Sequence, residues 1–147
     1  MANQISKLLN NIVTVFEDIP LVNTIVFNDS DVIDLEKENI YPLVNIRLTT
    51  STKNENDVLV NIDFEILNQR DFIPKSTPSK LMLDTNYIDN INICDSIGNR
   101  FILDYLKVQS DIFLNQYSEF TFVQKDERNA LDGVKFNCIF LVRQNGI

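Results

Sequence analysis

Between residues 4 and 17, Ile5, Leu8, Leu9, Ile12, Val13 and Phe16 recur at helical spacing, while Gln4, Lys7, Asn10, Asn11 and Thr14 take the other side. The pattern predicts an amphipathic N-terminal helix, ended by Pro20. Residues 21–28, LVNTIVFN, read as a short apolar strand. The acidic stretch DSDVIDLEKEN that follows is expected to be a loop or a short exposed turn of helix.

The period then changes to two. Val44, Ile46 and Leu48 alternate with Asn45, Arg47 and Thr49, and Val58, Val60, Ile62, Phe64 and Ile66 alternate with Leu59, Asn61, Asp63 and Glu65. Each run predicts a half-buried strand, and the polar link TSTKNEN is short enough to make them an antiparallel hairpin with a mobile tip.

Residues 68–80, NQRDFIPKSTPSK, break every period, with Thr77 placed as an N-cap, Pro78 at a first helical position and a short helix expected over SKLMLD. From about 88 to 108, Ile91, Cys94, Ile97, Phe101, Tyr105 and Val108 mark a second long helix, in which Gly98 leaves room for another element to approach. Period two returns at Phe120 and Phe122, and after the loop KDERNALDG at Val134, Phe136, Cys138, Phe140 and Val142, predicting a second hairpin. On the reverse side of that last strand Lys135, Asn137 and Arg143 are polar but Ile139 and Leu141 are not.

The order helix, strand, hairpin, helix, hairpin predicts an α+β fold: a mainly antiparallel sheet of about five strands, with the N-terminal helix and a second long helix packed on it. The 147 residues fit a single domain, 1–147, in which 68–87 form a long irregular or short-helical connection.

Charge narrows the function classes. A net charge of −8 opposes nucleic-acid wrapping, which draws affinity from Lys and Arg at phosphates. The chain has no long apolar run and no basic start with a small-residue cleavage site, so a soluble protein made inside the cell, with no membrane partner, is expected. Cys94 and Cys138 lack CxxC spacing and sit among apolar residues, as buried free thiols do.

Catalytic and metal chemistry find little to stand on. Asp29, Asp31, Asp34 and Glu36 lack the glycine and terminal glutamate of a calcium loop, so the reading is a solvated acidic loop and no metal. Asp63 and Glu65 share a strand face and could form an acid/base pair, but the chain contains no histidine to accompany them. Ser96 lies within a helical period without a histidine partner. With three glycines and no GxxxxGK[ST] or GxGxxG, a phosphate-cradling loop is excluded, so no cofactor is expected.

Apolar residues outside the predicted core are more informative. Phe72 and Ile73 lie in the proline-bounded connection and have two readings, tucking over a sheet edge or contacting a neighbouring subunit. Ile139 and Leu141 pose a similar choice between cover by a helix and an interface.

The element order, the segment YPLVNIRLTTSTKNENDVLVNIDFEIL and the closing NALDGVKFNCIFLV resemble the tail-terminator or tail-completion proteins and related neck-ring proteins of tailed bacteriophages. Tyr41 and Pro42 match the lead-in to the first hairpin strand, and Leu131, Asp132 and Gly133 match the final turn, so the resemblance spans most of the chain. It implies a non-enzymatic virion protein, assembled in the bacterial cytoplasm, that forms a homo-oligomeric ring of six or twelve subunits in the head-to-tail connector. Its partners are then the portal, adaptor or other neck and tail proteins, and DNA passes through the ring without specific binding. An acidic bore suits such passage, because like charge disfavours phosphate adsorption.

On this reading Phe72, Ile73, Ile139 and Leu141 lie at subunit or ring-to-ring contacts, and the hairpin tip, Ser51, Thr52, Lys53, Asn54, Glu55 and Asn56, reaches toward the bore or an adjacent ring. The competing expectations are a cytosolic adaptor that binds a partner by sheet-edge addition and a small hydrolase using Asp63 and Glu65.

Overall fold

The structure, a computed structural model, describes residues 4–27, 40–71, 85–107, 112–125 and 130–143. Helix α1 spans Gln4–Glu17 and α2 spans Tyr87–Leu106, within one or two residues of the ends the spacing predicts. The strands are β1 (Thr24–Val26), β2 (Leu43–Lys53), β3 (Asp57–Gln69), β4 (Ile112–Tyr117), β5 (Thr121–Lys125) and β6 (Leu131–Arg143).

The α+β class holds, with two corrections. The sheet has six strands rather than about five, in the order β1-β2-β3-β6-β4 with β5 also on β6, and it is mixed because β1 runs parallel to β2. The parallel pair follows from chain length: residues 27–42 separate β1 from β2, enough for the crossover that parallel strands require. Strand β4, IFLNQY, has too short an alternation to stand out by period. It runs along the same edge of β6 as β5, opposite residues 138–142 where β5 lies opposite 131–135.

Ser118 joins these two short strands. Its N–H donates to the Asn137 carbonyl at 2.8 Å, and its Oγ accepts from the Asn137 N–H at 2.8 Å, so β6 keeps a partner across the break. Phe120 then turns inward and stacks on Phe136 with ring centroids 4.4 Å apart. Gly98 of α2 makes room for it, since a Cβ there would lie 2.8 Å from Phe120 Cε2.

Both helices pack on one face of the sheet. Leu8, Ile12 and Phe16 of α1 and Cys94, Ile97, Phe101 and Tyr105 of α2 meet Val44, Ile46, Ile62, Phe64, Phe136, Cys138 and Phe140 in one buried cluster. Phe16 stacks on Phe101 at 4.1 Å, and Phe64 touches both rings. Fully burying one such side chain contributes about 1.5–3 kcal/mol, and this layer fixes which sheet face points away from the helices. A smaller cluster, Leu43, Leu67 and Leu131 with Val26, Tyr41 and Val123, lies at one end of the reverse face.

The expected final turn at Leu131, Asp132 and Gly133 is a further correction: all three belong to β6 and pair with Gln69, Asn68 and Leu67 of β3. Gly133 is required for close approach, because a Cβ there would lie 1.8 Å from the Ile66 carbonyl oxygen. Within the expected connection 68–87, Asn68 and Gln69 complete β3 and Tyr87 opens α2; residues 72–84, including Thr77, Pro78 and SKLMLD, lie outside the described residues, as does the acidic stretch 28–39.

Candidate functional site

Among the described residues, the two sides of the sheet and its reverse face offer surfaces to another molecule. On the β2 side, β1 pairs only with Leu43, Val44 and Asn45. From Leu48 to Lys53 the outer edge of β2 pairs with no strand among the described residues, and all six residues are exposed. On the other side β4 bonds to β6 by its inner edge, and Asn115, Gln116 and Tyr117 are exposed. Unpaired backbone groups on such strands are ready partners for another strand.

The hairpin tip is tighter than its sequence suggests. Ser51, Thr52 and Lys53 are strand residues, and only Asn54, Glu55 and Asn56 form the turn, closed by Asn54 N–H to Asp57 O at 2.9 Å and Asn54 Nδ2 to Asp57 Oδ1 at 3.0 Å. All of residues 51–56 are exposed.

On the reverse face, Ile139 and Leu141 are half-buried on the side away from both described helices, so neither α1 nor α2 covers them. Leu141 lies between Leu59 of β3 and Phe113 of β4, and the Arg143 guanidinium sits 5.1 Å from the Phe113 ring centre. Phe72 and Ile73 lie outside the described residues.

The middle of this face is polar. Asn137 Nδ2 donates to Asn61 Oδ1 and to Asp63 Oδ1, the latter at 2.7 Å, and Lys125 Nζ lies 3.5 Å from Glu65 Oε2. Asn45, Arg47, Asp63, Glu65 and Lys135 line a shallow pocket there. The two carboxylates singled out for acid/base work therefore share a strand face, but each is engaged by a neighbour, Asp63 by an amide and Glu65 by an ammonium.

Sequence reasoning missed a second polar cluster. Buried Asp132 is held by Arg70 and by Asn90 Nδ2 at 3.1 Å, while Asn90 Oδ1 accepts from Asn68 Nδ2 at 2.9 Å. Asn86 Oδ1 accepts from the Asp71 N–H at 2.6 Å, tying the start of α2 to the end of β3. Period breaks hid these residues: Arg70 and Asp71 read as loop, and Asp132 as turn.

Both cysteines are buried and free. Burial pushes each thiol up to about 12, with Asp132 adding to the effect at Cys94, so both stay protonated at neutral pH. Among the described residues no group of three His, Cys, Asp or Glu side chains could hold a metal, and the acidic residues Asp29, Asp31, Asp34 and Glu36 lie outside them. No helix among the described residues is long and apolar enough to cross a membrane.

Compared with known proteins, the sequence matches no family model and no curated sequence.

Proposed function

We propose that this chain is a structural, non-enzymatic subunit of a ring in the head-to-tail connector of a tailed bacteriophage. In this role it joins the portal or adaptor to the tail around a channel that conducts DNA. The observation that carries the reading is the pair of unlike sheet sides, the outer edge of β2 on one and β4 on the other. A cyclic ring needs two different complementary patches on each subunit, whereas a two-fold dimer needs one patch used twice.

Three further features agree with it. Helices α1 and α2 cover only one sheet face, leaving half-buried Ile139, Leu141 and Phe113 on the other for contact with a neighbour or an adjacent ring. The β2–β3 turn ends in an exposed, closed tip that can project from the subunit. The net charge of −8 suits a bore that passes DNA without holding it. The adaptor reading, one peptide added to one sheet edge, accounts for the β2 edge and leaves the β4 side unused.

The test is mass photometry of the purified protein across concentration, with negative-stain imaging. Closed rings of six or twelve subunits with a central hole are expected. A monomer at every concentration that also fails to bind a portal complex in a pull-down overturns the proposal.

A further inference from the structure

The two free sides of the sheet correspond row by row. Residues directly opposite on neighbouring strands share a sheet face, so the pairings define rows across β2, β3, β6 and β4. Lys53, Val58, Val142 and Ile112 form one row, and Thr52, Leu59, Leu141 and Phe113 the next. The row from Thr50 passes through Asn61 and Ile139 to Gln116, and that from Leu48 through Ile62 and Cys138 to Tyr117. β4 therefore occupies rows in which β2 has no outer partner among the described residues. In the rows that β5 occupies, β1 already covers β2 along Leu43–Asn45.

Strand direction also agrees. β2 and β6 run one way, and β3 and β4 run the other, because each neighbouring pair is antiparallel. Placing a second copy beside the first with the same face toward its helices brings β4 of one against β2 of the next, antiparallel, without reversing either molecule. The side chains at the ends of the Leu48 row make the same point. Ile62 and Cys138 in its middle are fully buried, yet Leu48 is 45% exposed and Tyr117 52% exposed, both on the helix-covered face. Two large apolar side chains thus end one row on opposite sides of the sheet, each lacking the neighbour that a continuing sheet would supply.

We propose that a second copy of this chain docks head to tail, the outer edge of β2 from Leu48 to Thr52 pairing with β4 of the neighbour, Phe113 to Tyr117, so that Leu48 packs against the neighbour's Tyr117. This rests on the ring reading and names the surfaces that close the ring. The joint forms one sheet across the subunit boundary, with backbone hydrogen bonds supplying register and the Leu48–Tyr117 contact supplying apolar burial.

The experiment is site-directed cross-linking with a short bis-maleimide. Leu48→Cys and Tyr117→Cys are made separately, and the unsubstituted protein, whose two cysteines are buried, sets the background. Neither variant alone is expected to give a covalent dimer; an equimolar mixture should give dimers only, and the double variant a ladder ending at the ring number. Thr50→Cys and Gln116→Cys end another row and are both exposed, so they repeat the test should the first pair fold poorly.

Dimers from Leu48→Cys alone overturn the proposal in favour of a two-fold joint through β2. Rings in the images without a cross-link from either pair overturn it and leave the ring reading standing. Absence of any self-association, by cross-linking and by mass photometry, defeats the head-to-tail joint and the self-assembling ring together.

Discussion

Arg70 holds Asp132 through two nitrogens: its Nε lies 3.1 Å from both carboxylate oxygens and its Nη2 2.6 Å from Oδ1. The Asp132 side chain is fully buried and the Arg70 side chain 14% exposed, so the carboxylate depends on its partners for much of its lost hydration. The pair ties the last turn of chain after β3 to the first residues of β6. Asn90 adds the start of α2 to the same carboxylate.

Removing either partner breaks the ion pair, and removing Arg70 leaves the buried carboxylate its hydrogen bond from Asn90. Arg70→Met, which removes the ion pair of a fully buried carboxylate, should destabilise the fold by about 3–5 kcal/mol, and Asp132→Ala should destabilise it by less, because the Arg70 side chain reaches solvent. The double variant should lose clearly less than the sum of the two. Urea unfolding of all four proteins gives the coupling directly, and additive losses would show that Arg70 and Asp132 act independently.

The two buried glycines should respond differently to the same added methyl. At Gly133 a Cβ would meet the backbone carbonyl of Ile66, which cannot move without opening the β3–β6 pairing, whereas at Gly98 it would meet the rings of Phe120 and Phe136. Gly98→Ala is expected to cost about 1–3 kcal/mol as those side chains shift. Gly133→Ala should cost more and lower soluble yield. Equal midpoints for the two variants in thermal melts would contradict the distinction.

How much of this could be read from the sequence depended on the length of each periodic run. Helices α1 and α2 carry several turns of apolar spacing, and β2, β3 and β6 carry long alternations, so they were legible. β4 offers only Ile112, Phe113 and Leu114 before turning polar, too short a signal to separate from loop. Its role comes from tertiary pairing with β6. Asp132-Gly133 has the composition of a turn, but the glycine serves close strand packing and the aspartate a buried ion pair, neither of which leaves a local mark. Of the candidate interface, Ile139 and Leu141 were legible as apolar residues on a polar face, while the match of Leu48 with Tyr117 needed the strand order.

The thiols set an alkaline limit on stability. Cys94 and Cys138 are lifted from an ordinary 9.0 to about 12 in the folded state. Because the folded values lie above the unfolded ones, their contribution is fully present below pH 9 and is lost as pH rises from there through about 12. Within that window stability should fall by up to about 1.4 kcal/mol per pH unit for each thiol. Tyr105, raised by burial above its ordinary 10.0, steepens the fall above that pH. Cys138→Ala should flatten the dependence measured by urea titration from pH 8 to 11. At pH 8 a thiol reagent should react only as fast as the protein unfolds.

Phe140 and Leu141 are chain neighbours that face opposite sides of the sheet, which allows folding to be separated from assembly. Phe140 is fully buried between Phe64 and Tyr105, so Phe140→Ala should cost about 3–5 kcal/mol. Leu141 is half-buried beside Leu59 and Phe113, and Leu141→Ala should cost about 1 kcal/mol. If the reverse face contacts a neighbour or an adjacent ring, Leu141→Ala and Ile139→Ala weaken assembly more than their small loss of stability explains, because a contact surface is formed only in the assembly. Sedimentation velocity at matched folded fraction reads this difference. Unchanged association by both variants would restrict the joint to the strand edges and remove the reverse face from it.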